Sequence, residues 1–487
     1  MFGNRSILME RARPDAIRGY PGAPWLAVGV VCFGAFMGQL DASIVTLTFR
    51  PMQLEFGAPL AAVQWVSLIY LLTLVALLAP AGQVSDARGR KLIYSYGFAA
   101  FTLASAACAV APSLRLLVVF RLVQAVGAAM LQANSVALVA TSVPESAMRR
   151  ALGIQAAAQA LGLALGPTLG GILTADAGWR SVYWINVPVG CIAMIASRYL
   201  LPRTRQLRPA VGFDWPGTVL LGMATSCLLL ALSAAGGLTM PGWAGPGLAV
   251  AAAAAAAGFA ARERRARHPL VPRAFLSSGR LALGLAGALC GYLMLFGPLV
   301  LIPQVLAASG GEVRIGLVLS ALPLGFGLAA LGADLVLPGT LGNRARGITG
   351  GCISTISLGM LVFMPVPATW MVVLLAMAGI GLGWFVPANN TVIMRSAGAT
   401  SPAVLGGLVN MARGIGTTLG IALVTVAMHA TGGSAVAGLA AMPGARVAAV
   451  LLALAGVAAT LTVLAWPTTS GQGGGAPIRK EAPRAFS

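Results

Sequence analysis

The sequence predicts an all-α polytopic membrane protein of fourteen transmembrane helices, and three observations carry that prediction. Of 487 residues, 58% are hydrophobic and 9% charged, with a mean hydropathy of +0.87, whereas soluble globular proteins carry about 25% charged residues. Apolar runs of roughly 20 residues, enough to cross ~30 Å of hydrocarbon as helix, recur from Trp25 to Trp466. They are too long for barrel strands, and in lipid only helices and closed barrels satisfy the backbone. The third observation is that the basic residues fall in alternate loops.

A net charge of +20 would point to nucleic acid in a soluble protein, but its distribution gives it another meaning. With the N-terminus inside, 25 of the 32 lysines and arginines lie in segments on the cytoplasmic side. Arg50, Arg115, Arg180, Arg314 and Arg446 lie on the opposite side, and Arg121 and Arg413 lie within spans. That asymmetry is the positive-inside pattern. The charge therefore sets topology, and a nucleic-acid partner is not expected. Both termini are expected in the cytoplasm, on a multi-pass protein of the inner (plasma) membrane. Thirty arginines against two lysines, with much alanine and glycine, point to a GC-rich bacterial genome.

Each element follows in order. Residues 1–24 read as a cytoplasmic N-terminal segment; Glu10 and Asp15 stand among its arginines, and the run that follows is too long for a signal peptide's core. Spans at 25–49, 60–81, 92–111, 115–140, 151–174 and 181–200 make an N-terminal six-span half, 25–201. Spans at 215–235 and 243–261 form an inserted pair, 215–261, of which "VAAAAAAAG" is mildly apolar helical filler. The link 262–279 carries arginines and prolines that oppose insertion and reads as cytoplasmic. Spans at 280–304, 313–335, 347–365, 369–388, 403–428 and 446–466 make the C-terminal six-span half, 280–466. The tail 467–487, rich in glycine and proline, reads as disordered and cytoplasmic.

A polar knot, "GQVSDARGRK" from Gly82 to Lys91, separates the second and third runs. Gly82 and Gly89 permit a tight turn there, and Asp86 can face the positive N-terminal end of a neighbouring helix. Arg90 and Lys91 can pair with acidic groups or lipid phosphates. "GTLGN", Gly339 to Asn343, aligns with "GQVSD" as glycine, any, aliphatic, small, Asp or Asn, each expected to end a span. Parallel internal repeats of this kind mark transporters. In the fifth span, "GLALGPTLGG" places Gly162, Gly166 and Gly170 on one helix face beside Gly171, allowing close backbone approach, while Pro167 removes a helix hydrogen bond and allows a hinge.

Ionisable groups inside spans are costly and therefore functional candidates. Asp41 lies 16 residues past Trp25, about 24 Å along a helix, and Arg121 lies 6 residues past Arg115, about 9 Å. Both thus fall in the outer half. Desolvation favours a neutral Asp41 and a nearby Arg121 favours the charged form, a balance suited to proton exchange; a static ion pair is the structural alternative. Arg413 and Asp334 fall toward the cytoplasmic half and are a weaker candidate pair. The expected cavity lining is drawn from Gln39, Gln124, Gln132, Gln155 and Gln159, the aromatics Trp65, Tyr292 and Trp384, and Asn134, Asn389, Asn390 and Asn410. Many scattered polar groups beside few carboxylates suit lipophilic cargo of varied shape.

Other functions fit less well. Lys91 and Lys480, the only lysines, stand outside any phosphate-binding glycine loop, so ATP is not the expected energy source. His268 and His429 are isolated, and the six cysteines have no CxxC spacing; neither a catalytic cluster nor a metal nor a disulfide is implied. No cofactor is expected, and the chain is not expected to be an enzyme.

With Gly82, Asp86, Gly89, Arg90 and Lys91 in that order, the chain resembles the major facilitator superfamily, whose loop between spans 2 and 3 carries the same pattern. Ala87 stands where that family usually has arginine, and Val84 where it has leucine. The Gly162, Gly166, Pro167, Gly170, Gly171 series is similar to the antiporter motif of its drug:proton exporters. "LDASIVTLTFRPM", "RLVQAVGAAMLQ" and "GWRSVYWINVPVG" share the look of the fourteen-span drug:proton antiporter family, from about Trp25 to Trp466. The resemblance implies two six-helix halves with two additional inserted helices. It also implies that Asp86, Arg90 and Lys91 latch the halves in the outward-facing state and that Asp41 and Arg121 take part in proton transfer. The expectation is a proton-coupled exporter of drugs or lipophilic metabolites, acting as a monomer, with small molecules, protons and membrane lipid as partners. A proton-independent facilitator of a metabolite is the alternative, and a non-transporting membrane sensor a more distant one.

Overall fold

The computed structural model describes residue 10 and residues 12–204, 214–235, 240–266, 269–271, 279–306, 312–337, 341–363, 367–396, 402–430 and 443–466. Among them the chain is helical and contains no strand. After one turn, α1 (Asp15–Arg18), come α2 (Ala23–Ile44), the short α3 (Phe49–Phe56), α4 (Leu60–Arg88), α5 (Arg90–Ala109), α6 (Leu114–Ser142), α7 (Met148–Ala177), α8 (Ser181–Trp184) and α9 (Asn186–Leu200). Then follow α10 (Trp215–Ala235), α11 (Ala244–Arg265), α12 (Gly279–Leu306), α13 (Glu312–Val336), α14 (Asn343–Met360), α15 (Ala368–Ser396), α16 (Pro402–Ala430) and α17 (Pro443–Leu464).

Local chemistry sets several of these boundaries. Pro24 opens α2 in the first turn, where its missing N–H has no partner to lose. Ser113 caps α6 by accepting the Leu116 N–H at 3.4 Å. Gly57, at φ 59°, closes α3 with the left-handed turn that glycine takes without a Cβ clash.

Among the described residues twelve helices are long and apolar enough to cross a membrane, or thirteen if α7 counts as one span across its bend of 42° between Gly166 and Leu169. Pro167 sits at that bend and has no N–H for the carbonyl of Leu163. The expected count of fourteen is not reached, because the sixth predicted span divides into α8 and an α9 of only 15 residues. Pro188, in the first turn of α9, cannot donate to the carbonyl of Trp184, where α8 stops. The first predicted span likewise ends early: α2 stops at Ile44, a tight turn covers Val45–Thr48, and α3 begins at Phe49.

The polar knot also differs from its reading as a loop. Gly82 to Arg88 are the last two turns of α4, Arg90 and Lys91 are the first residues of α5, and Gly89 alone makes the turn at φ 112°. The repeat is likewise corrected: Asp86 lies near the end of α4 but Asn343 is the first residue of α14, so the aligned residues hold different places in their helices. Gly339 and Thr340 lie outside the described residues, as do half of the link 262–279 and all of the tail 467–487.

Two large apolar cores follow the order of the chain. Val31, Tyr94, Phe98, Phe101, Ala128 and Val136 belong to one, joining α2, α4, α5 and α6. Met294, Leu322, Phe326, Phe385 and Leu452 belong to the other, joining α12, α13, α15 and α17. Each core borrows helix ends from the opposite group. Val404, Leu405 and Leu408, at the start of α16, pack into the first core; Ala156, Ala157 and Ala160, near the start of α7, pack into the second. The inserted helices α10 and α11 pack on one another, and α10 also touches both α4 and α16. Leu229 of α10 meets Leu72 and Val75 there, beside Trp65, Met411 and Ile415. Arg262 and Asp214, 3.1 Å apart, tie the two inserted helices at their arginine-rich end.

Candidate functional site

Helices α2, α4, α5, α6 and α9 converge on Asp41. The residue is 0% exposed and Arg121 is 1% exposed. Arg121 Nη1 donates to Asp41 Oδ2 at 2.7 Å and to Gln124 Oε1 at 2.7 Å, while its Nε donates to the Val66 carbonyl at 3.1 Å. Gln124 Nε2 donates to Asp41 Oδ1 at 3.0 Å and to Ser105 Oγ at 2.7 Å, and Asn186 Nδ2 donates to the same Asp41 oxygen at 3.2 Å. The guanidinium also faces Tyr70, 4.2 Å from the ring centre, and Tyr183 at 5.8 Å. A buried pair of this kind repays desolvation only when its remaining lone pairs and protons are satisfied, and here both carboxylate oxygens are. Gln124, expected in the cavity lining, is the second partner of this pair. Asn186, Ser105, Tyr70 and Tyr183 were not singled out from the sequence; as neutral polar or aromatic groups within apolar runs they look like packing residues.

The second constellation sits at the arginine-rich end of the bundle. Asp86 accepts the backbone N–H of Ala403 at 3.1 Å and of Val404 at 3.2 Å, at the N-terminus of α16. A carboxylate is favoured there because the free N–H groups and the helix dipole present positive charge. Arg90 Nε donates to Asp86 Oδ1 at 2.9 Å and orients it. Lys91 Nζ donates to the Leu201 carbonyl at 2.9 Å, after α9. Glu10 accepts from the backbone N–H groups of Leu92 and Thr204, and a Cβ on Gly89 would strike its side chain. At Gly82 a Cβ would stand 2.5 Å from the Ala403 carbonyl oxygen, so α4 and α16 touch backbone to backbone. Across the bundle, Arg149 of α7 donates to Asn343 of α14 at 3.4 Å, and Arg395 pairs with Glu145 at 3.1 Å.

The glycines of α7 divide. A Cβ on Gly162 would lie 2.5 Å from the Phe36 carbonyl oxygen, and one on Gly166 would strike Ser43, so both bring α7 against α2. Gly170 is buried, whereas a Cβ on Gly171 would meet nothing within 4 Å; that residue is not a packing glycine.

The remaining lining candidates fall in several places. Asn134 donates to Ser85 Oγ at 2.7 Å and joins α6 to α4. Trp65 packs at the α10 contact, where it joins the apolar patch that α10 covers. Gln39 is half-buried. Trp384 lines a small pocket with Arg149, Arg150 and Arg346. Asn389 donates to the Gly284 carbonyl at 2.9 Å, and Asn390 Oδ1 is buried without a partner. Tyr292 donates to Gln159 Oε1 at 2.7 Å, Asn410 donates to the Gln132 carbonyl at 2.7 Å, and Gln155 Nε2 is buried without an acceptor. Arg413 pairs with Asn410, Nη1 to Oδ1 at 3.0 Å; the side chain of Asp334 lies outside the described residues. Among the described residues no group of three or more His, Cys, Asp or Glu could hold a metal.

Comparison with known proteins matches these features to one family. The model of the Major Facilitator Superfamily covers residues 31–421. The chain is 32% identical over 426 residues to the tetracenomycin C resistance and export protein of Streptomyces glaucescens, covering 84% of this chain and 77% of that protein. It is 31% identical over 416 residues to the methylenomycin A resistance protein of Bacillus subtilis (strain 168), covering 82% and 86%. A crystal structure of the human organic anion transporter MFSD10 superposes with a TM-score of 0.64 at 16% identity, over 90% of this chain and 99% of that one. The chain is a multi-pass membrane transporter of the major facilitator superfamily, among relatives that confer antibiotic and multidrug resistance.

Proposed function

We propose that the protein exports drugs or lipophilic small metabolites from the cytoplasm in exchange for protons, by alternating access of two six-helix groups around a central path. The arginine-rich end faces the cytoplasm in this reading, with both chain termini on that side, and the transporting unit is the monomer. That the S. glaucescens relative is named for tetracenomycin C resistance and export supports an outward direction.

The observation that carries the proton coupling is the sealed Asp41–Arg121 pair, 2.7 Å apart and built from five helices. Protonating Asp41 removes the charge that Arg121 balances and one acceptor site from Gln124 and Asn186. A single proton therefore unsettles the seam where α2, α6 and α9 meet. The cross-group ties through Asp86, Asn343, Glu145 and Gly82 all lie at the cytoplasmic end, which is the arrangement of an outward-facing state.

The same completeness of the pair favours a second reading, a facilitator in which Asp41 and Arg121 are a static tie. The two separate in proteoliposomes holding a pH-sensitive dye, under an imposed proton gradient, with lipophilic cations, neutral antibiotics and anions added in turn. Antiport predicts substrate-triggered proton release that Asp41→Asn abolishes without loss of membrane insertion. Full proton-driven export by that variant overturns the assignment, and substrate equilibration with no proton movement in either protein establishes the facilitator.

A further inference from the structure

Arg413 is a second buried cation, and its surroundings differ from those of Arg121. It lies on α16, 4% exposed, with Nη1 donating to Asn410 Oδ1 one turn back. Its guanidinium carbon stands 5.0 Å from the centre of the Tyr292 ring on α12. Through the Tyr292 hydroxyl and the Asn410 amide this cluster reaches Gln159 on α7 and the Gln132 carbonyl on α6. One polar string thus runs from the N-terminal helix group to the C-terminal group and back, with the guanidinium in its middle.

The string sits at mid-height. Arg413 is 11 residues past Pro402, the start of α16, and Tyr292 is 13 past Gly279, the start of α12; at 1.5 Å per residue these are about 16 and 20 Å along their helices, within a core of ~30 Å. Substrate sites of secondary transporters lie at this depth, between the repeated halves.

Among the described side chains, charge is what Arg413 lacks a match for. Arg121 spends its charge on Asp41, but among the described side chains no carboxylate lies within ion-pair distance of Arg413, and its buried Nε has no hydrogen-bond partner. A guanidinium does not shed its proton in a protein, so burial cannot be relieved by neutralisation. The tyrosine face and the asparagine oxygen offset part of the cost. On α7, one turn from Gln159, Gln155 Nε2 is another buried N–H group without an acceptor. Two unanswered donors, one of them cationic, call for an acceptor that carries negative charge.

We infer that Arg413, with Tyr292, Gln159 and Gln155, forms an anion-recognition subsite between the two helix groups, taking a carboxylate or phenolate of the transported molecule. The inference rests on the export reading and adds to it the chemistry of the cargo: an organic acid on an apolar scaffold. A planar guanidinium offers parallel N–H groups to a carboxylate, and the ring beside it favours an aromatic scaffold. A lipophilic cation meets like charge here and is selected against.

The test is binding to the full-length protein in lipid nanodiscs, read by tryptophan fluorescence, using anthraquinone-2-carboxylate and its methyl ester as a matched pair. The wild type binds the acid at least about tenfold more tightly than the ester, the scale of one charge-assisted hydrogen-bonded contact. Arg413→Gln brings the acid down to the ester's affinity and leaves the ester within about twofold; Arg413→Lys keeps part of the preference. Gln155→Leu weakens the acid alone by about threefold and serves if the glutamine variant does not fold. Equal wild-type affinities, no binding of the acid, or an Arg413→Gln protein that keeps the preference each overturn the inference. Binding needs no proton gradient, so a protein that prefers the acid yet releases no protons in liposomes overturns antiport and leaves this subsite standing.

Discussion

Asp86 and Ala403 are 317 positions apart in the chain, yet the carboxylate of one accepts the backbone N–H of the other at 3.1 Å. The contact joins the last turn of α4 to the first turn of α16 and closes the arginine-rich end of the bundle.

Replacing Asp86 by asparagine keeps an acceptor but removes the charge that favours the α16 N-terminus and pairs with Arg90. A carboxylate in that position contributes about 1–2 kcal/mol, so the closed state should lose about five- to thirtyfold in relative population. Alkylation of a cysteine placed at Val404 should quicken by a similar factor. Unchanged labelling would show that the apolar seam alone holds this end shut.

Gly82→Ala tests the backbone contact itself. Its Cβ would stand 2.5 Å from the Ala403 oxygen and 2.9 Å from the Val404 Cα, and neither is the movable end of a side chain. Export should fall at least about tenfold with insertion intact, since a shift of ~1.4 kcal/mol against the closed state already costs that factor. Gly171→Ala, with open space around it, should transport like the wild type.

Pro167→Ala restores a helix hydrogen bond at the bend of α7. Turnover should slow while membrane abundance, measured by immunoblot, hardly changes; failure to insert would make the proline purely structural.

At the opposite end, Arg180 holds the Glu55 carboxyl below its usual range by hydrogen bonding, opposed by partial burial and aided by the Trp179 indole. Because the folded value is depressed, the contribution is full above the ordinary carboxylate pKa of about 4.3 and fades as pH falls through the folded value. The carboxylate side chain is 42% exposed, so the effect is at most about 1 kcal/mol. Wild-type protein should melt slightly above Glu55→Gln at pH 7, and the gap should narrow and close as pH falls through the lowered folded value.

Much of this was legible in the amino-acid order, for physical reasons. An ionisable group inside an apolar run is too costly to be incidental, so Asp41 and Arg121 stood out, and counting residues from the ends of their runs placed both in the outer half; they meet at 2.7 Å. Asn186 and Ser105 complete the same site but are neutral, and neutral polar groups occur in spans for packing alone. Gly, Ser and Asp together suggested a loop at Gly82 to Asp86, yet α4 continues through them. Ser85 bonds back to the Ala81 carbonyl at 2.7 Å, and Asp86 finds its partners on another helix. Pro188 cuts the sixth run into two helices, a break that hydrophobicity does not register.

The inserted pair has a mechanical meaning. Leu229 and Leu230 of α10 stand where acyl chains would otherwise lie against the join of α4 and α16. Lipid thickness and lateral pressure reach that side of the join through α10, which touches both of the helices that meet there. The bilayer therefore has unequal purchase on the two flanks of the molecule, and a change of lipid should be felt as a torque rather than as uniform squeeze.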